Sequence, residues 1–131
     1  MLRTQTPGRH QQKTNSMTWE QLKGYLKGKC FIIGLTFVDK SGEVIDQYQT
    51  HGLVIELTDS GLLKFIRDDK TIFQMPYDKE SIEKANKNAQ YREVISGKII
   101  NSPDFIMQWE IVSKPNDNLD DIKENGYVPV V

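Results

Sequence analysis

The chain has 131 residues, 37% of them hydrophobic and 27% charged, which suits one modest core in a single domain. No run reaches the roughly 20 apolar residues that span a bilayer, and residues 1–16 lack the apolar centre of a signal peptide, so a cytoplasmic location is expected. The net charge of −1 divides into +5 over residues 1–29, −4 over 30–113 and −2 over 114–131, an acidic body that argues against binding nucleic acid over its surface.

Residues 1–16 show no apolar periodicity and read as a flexible basic arm. Residues 17–113 read as a single β-rich domain with an N-terminal helix, and residues 114–131 as an acidic tail. Thr18-Trp19-Glu20-Gln21 fits a capping box, in which the threonine hydroxyl and the glutamine side chain satisfy each other's backbone amides. Trp19, Leu22, Tyr25 and Leu26 follow at helical spacing, and Gly28 is the expected stop.

From Cys30 the pattern changes. Residues 30–38 are almost continuously apolar and rich in β-formers, the composition of a strand covered on both faces. Asp39-Lys40-Ser41-Gly42 is a hairpin turn, and a long return strand over residues 43–57 is expected to bend or bulge at Gly52. Thr58-Asp59-Ser60-Gly61 makes the next turn, followed by strands over 62–67 and 71–75, with Pro76 as the stop. The rhythm predicts an antiparallel meander. A curled meander of this size is expected to close as a small SH3-like barrel or to remain a strongly bent sheet.

Residues 79–86 are polar and read as a helical turn. Two further strands are expected, over 91–100 with a break at Gly97 and over 105–112. In the last, Phe105, Met107, Trp109 and Ile111 form the inward set. One helical turn is expected over 119–124, ended by Gly126.

Two groups of residues are familiar in combination. Ile33-Gly34-Leu35-Thr36-Phe37, Asp39, Gly42 and Gln49-Thr50-His51-Gly52 form one; Ser96-Gly97-Lys98, Asn101, Pro103-Asp104-Phe105 and Trp109 form the other. Over residues 28–113 the chain resembles an uncharacterised family of small bacterial proteins. The resemblance implies a bacterial, cytosolic, all-β domain and carries over no functional residue. The chain departs from that pattern in its polar residues 79–88, where the family has a more proline-rich loop.

Catalytic chemistry finds little purchase. A nucleophile needs a base within reach, and the only thiol is Cys30, while the only histidines are His10 and His51. If Asp39 pairs with Glu43, then Phe31 faces His51, and Cys30 and His51 fall on opposite faces of the sheet, whereas a slip of one residue or a bulge near Gly52 would put them together. Two histidines and one cysteine fall short of a structural zinc site. No phosphate-binding or dinucleotide motif is present, so neither cofactor nor metal is expected.

The notable polar feature is the row Gln47, Gln49 and His51, which alternates along the return strand and interrupts an apolar set of Ile45, Leu53 and Ile55. The expected function is a non-enzymatic protein-interaction module, of the accessory or immunity type that masks a partner, with this row as the partner-binding patch. The alternative is a nucleic-acid-binding small barrel that uses Lys23, Lys27 and Lys29 with the basic arm.

Overall fold

The computed structural model describes residues 17–86, 88, 90–94, 96–115 and 117–128. The expected basic arm, residues 1–16, lies outside them. Helix α1 (Trp19–Leu26) opens with the expected capping box: the Gln21 amide donates to Thr18 Oγ1 at 3.1 Å and the Thr18 amide to Gln21 Oε1 at 2.9 Å. Its buried Leu26 and half-buried Leu22 join the core.

Eight strands follow: β1 (Cys30–Val38), β2 (Val44–Leu57), β3 (Leu62–Ile66), β4 (Ile72–Pro76), β5 (Ile82–Lys84), β6 (Gln90–Arg92), β7 (Ile99–Asn101) and β8 (Phe105–Val112). Six of them form one sheet in the order β4-β3-β2-β1-β8-β5, while β6 and β7 pair as a separate hairpin. Helix α2 (Leu119–Asn125) closes the described chain.

The mainly β expectation holds, but the closed barrel does not form. The sheet is mixed and open between β4 and β5. Its central strand, β1, pairs antiparallel with β2 and parallel with β8. A parallel neighbour requires a long crossover, so turn-by-turn reading, which joins each strand to the next, reaches only the meander β1 to β4.

Two further elements differ from expectation. Residues 79–86 are not a helical turn throughout: a 3-10 turn at Lys79–Ser81 leads directly into β5, whose three residues pair with Lys84↔Phe105 to Ile82↔Met107 on the free side of β8. Residues 91–100 are not one broken strand. They belong to the β6–β7 hairpin, which reverses around Gly97 at φ +73.

One face of the sheet carries the core. Phe31, Ile33, Leu35 and Phe37 of β1 align with Phe105, Met107, Trp109 and Ile111 of β8, and Val54, Leu63, Phe65, Phe73 and Met75 continue the layer. Helix α2 contributes Leu119 and Ile122 to its margin. Arg67 fastens that helix by donating to the carbonyls of Lys123 and Glu124 while its guanidinium lies 4.9 Å over the Phe73 ring.

The bulges of β2 do not lie at Gly52. There are two in its described pairings: Ile45 is the unpaired residue against β1 and Ile55 the unpaired residue against β3. An extra residue locally increases the strand's twist. Gly52 instead permits a close approach: a Cβ there would stand 2.9 Å from the Ile66 carbonyl oxygen.

Candidate functional site

The bulge at Ile45 moves the β1–β2 register by one residue from the expected pairing. Phe31 faces Gly52, and Ile32 faces His51. Cys30 and His51 therefore lie on the same face of the sheet. Both ring nitrogens of His51 face carboxylates. Its Nδ1 lies 2.8 Å from Glu93 Oε2 and its Nε2 lies 3.3 Å from Asp68 Oδ2. Burial, reinforced by the Asp104 carboxylate, also pushes the Cys30 thiol above the ordinary thiol range, away from the reactive thiolate.

The same register places Gln47, Gln49 and His51 on the outer face, opposite the core. They do not interrupt an inward apolar set. Ile45, Leu53 and Ile55 are exposed as well, and the inward residues of this stretch are Tyr48, Thr50, Gly52 and Val54.

The β6–β7 hairpin is tied down over this outer face. Gln49 Oε1 accepts the Val94 amide at 2.7 Å, and the buried Glu93 takes His51 on one oxygen and the Ser96 hydroxyl on the other. Lys98 reaches Asp68 across the β3–β4 turn. That contact, followed by His51, holds the Asp68 carboxyl below its ordinary range. Of the expected row, Gln49 and His51 thus anchor the hairpin, while Gln47 stays exposed.

Two clefts meet along this part of β2, and Tyr48 lines both. The first, of about 610 Å³, is bordered by Gly34, Ile45, Gln47, Gln49, Val94 and Gln108. The second, of about 520 Å³, runs between β2, the β3–β4 turn, Glu93 and helix α2. Its carboxylates are Asp68, Asp69, Glu93, Asp120 and Glu124, against Arg67, Lys98 and Lys123. Those three cations are committed within the fold, Arg67 to α2 carbonyls, Lys98 to Asp68 and Lys123 to Asp46.

The backbone between the clefts has a particular arrangement. Strand β2 pairs with β1 from Val44 to Leu53 but with β3 only from Leu53 to Leu57. The Val54 amide donates to the Lys29 carbonyl and the Val54 carbonyl accepts the Gly28 amide, which sets the phase of the antiparallel ladder. Beyond the Ile45 bulge, the even-numbered residues 46–54 bond towards β1, so the N–H and C=O groups of Gln47, Gln49 and His51 point away from it. Among the described residues no strand pairs with them there. The Gln47 amide turns to the Asp46 carboxylate of its own strand at 2.8 Å.

The three lysines of the alternative reading lie elsewhere. Lys23 of α1 pairs with Glu20 at 3.4 Å and with Asp59 of the β2–β3 turn. Lys29 sits 4.7 Å over the Tyr25 ring, and Lys27 caps the C-terminus of α1. Among the described residues no group of three or more His, Cys, Asp or Glu is placed to hold a metal ion, and no helix is long and apolar enough to cross a membrane.

The residues that sequence reasoning missed are those that reach the row from a distance. Glu93 meets His51 across 42 positions and Val94 meets Gln49 across 45. No spacing rule links such residues. In comparisons with known proteins, no family model matches the chain, and no curated protein or solved structure does.

Proposed function

We propose that the protein is a non-enzymatic protein-interaction module, a cytoplasmic bacterial accessory protein of the kind that masks a partner, acting through the Gln47–Gln49–His51 stretch of β2. The observation that carries this reading is the meeting of two clefts along β2, where Tyr48 lines both. Gln49 and His51 hold the hairpin that walls those clefts, through the Val94 amide and the Glu93 carboxylate. Exposed apolar side chains border the first cleft, with Ile45 51% and Val94 77% accessible, as suits a contact surface.

The test is a photocrosslinking amino acid at position 47 of the full chain, followed by affinity capture from native lysate. A single stoichiometric crosslinked protein, lost when Val94→Asp is added, supports the reading. Absence of any stoichiometric partner counts against it. The nucleic-acid alternative has less support, because Lys23 and Lys29 are already engaged by Asp59 and Tyr25. Salt-dependent binding of nucleic acid that weakens in Lys23→Ala/Lys27→Ala/Lys29→Ala would favour it.

A further inference from the structure

We infer that the partner is recognised by strand addition: an extended, lysine- or arginine-bearing segment of another protein lies along the open edge of β2 from Ile45 to His51. This rests on the interaction reading above and names its chemistry. An unpaired strand edge offers a row of N–H and C=O groups that another extended chain satisfies with its own. Here that row is the main chain of Gln47, Gln49 and His51, turned away from β1: Gln49 and His51 have no strand partner there among the described residues, and the Gln47 amide is held only by the Asp46 carboxylate beside it.

The flanks choose the segment. Successive side chains of an added strand point to opposite faces. One set meets the first cleft, where Ile45, Gln47, Val94 and Gln108 offer apolar and amide contacts. The other set meets the second cleft on the side of Tyr48, Thr50 and helix α2. Asp120 and Glu124 border it, and every lysine or arginine in its wall is spent on a partner within the fold. An incoming cation is therefore favoured there over an anion. The β3–β4 turn stops the slot at its His51 end, where Asp68 meets the ring. Ile45 to His51 spans ~20 Å at the strand rise, so the slot holds about seven residues.

The probe is a fluorescein-labelled seven-residue peptide alternating lysine and valine, added to the full-length chain and read by fluorescence anisotropy and amide hydrogen exchange. Binding is expected, with slowed exchange at the Gln49 and His51 amides. N-methylation of alternate peptide residues, which removes the strand-forming donors, should weaken it about tenfold or more. Replacing the peptide lysines by glutamates should do the same, as should Asp120→Asn/Glu124→Lys on the exposed side of α2. Gln47→Pro removes one edge amide; if that variant misfolds, the α2 variant and the N-methylated peptide still decide.

Equal binding of methylated and unmethylated peptides would overturn strand addition, as would equal binding of the glutamate peptide. Protection of the Gln49 and His51 amides in the free monomer would mean that the chain's own segment fills the edge, and would also overturn it. So would a homodimer in sedimentation that Gln47→Pro dissociates. If the peptide fails while crosslinking at position 47 still captures a partner, the interaction reading stands and only its mode is wrong.

Discussion

The carbonyl oxygen of Gln74 stands 1.9 Å from where a Cβ on residue 126 would be. Gly126 ends α2 at φ +93, and its bridge to Gln74 lets the Tyr127 amide donate to the Gln74 carbonyl at 2.8 Å. Gly126 and Tyr127 thereby lie against β4 at Gln74.

Gly126→Ala adds both a left-handed strain and a backbone clash. We expect a loss of at least about 2 kcal/mol in urea unfolding, with faster amide exchange at Gln74 and Tyr127. A stability within about 0.5 kcal/mol of the parent, in the ordinary range for exposed sites, would contradict the geometry.

Gly52→Ala tests the close approach of β2 and β3. The added Cβ would meet the Ile66 carbonyl oxygen at 2.9 Å and Phe65 Cβ at 3.1 Å, in a buried position. Backbone cannot swing aside as a side chain can, so the expected cost is about 1–3 kcal/mol. Thermal unfolding measures it.

The His51–Glu93 contact predicts a coupled pair. Glu93 is buried, with a side chain 10% exposed, so His51→Ala removes one of its two side-chain donors and leaves Ser96 alone. Each single variant should lose about 1–3 kcal/mol. The double variant His51→Ala/Glu93→Ala should lose less than the sum, with a coupling of about 1 kcal/mol or more. Amide exchange across residues 90–101 should accelerate in each. Strict additivity would show that the hairpin is held by other contacts.

The Asp46–Lys123 pair between β2 and α2 predicts how the helix responds to pH. A hydrogen bond from Lys123, then one from the Gln47 amide, holds the Asp46 carboxyl below its ordinary range, and the same pairing raises Lys123. A depressed carboxyl contributes stability above its unfolded value of about 3.9 and loses it as pH falls through the lower folded value. A raised amine contributes below about 10.4 and loses its share as pH rises through the folded value. The α2 contact should therefore be constant at neutral pH and weaken below about pH 4 and above about pH 10. Both side chains are partly exposed, at 39% and 26%, so solvent screening limits the effect to about 0–1 kcal/mol. NMR shifts of α2 across pH in the parent and in Lys123→Met would check it, and an unchanged acid limb in the variant would remove the pair as its cause.

Much of the architecture was legible where one local signal dominated. The bounds of β1 and β8 follow from a continuous apolar run and a clean alternation, and Gly42 and Gly61 mark turns at φ +92 as their sequences suggest. The expected stop at Gly126 is also the observed one. What escaped was non-local. The bulge at Ile45 leaves no composition signal, yet it moves the register and puts Cys30 on the face of His51. The short strand β5 hides among lysines and glutamates because β8, not its own pattern, supplies its pairing. The polar row on β2 was visible, but its hold on Glu93 and Val94 was not, since both arrive from a hairpin that packs on the sheet.

The parallel pairing of β1 with β8 also sets a timetable. Phe31 aligns with Phe105, so 74 residues separate one central strand from its second neighbour. At ribosomal speeds of about 5–20 residues per second, that interval lasts roughly 4–15 s. Throughout it the nascent β1, nine residues without a charge, has one side without its permanent neighbour. That side stays open to other exposed strands until β8 emerges.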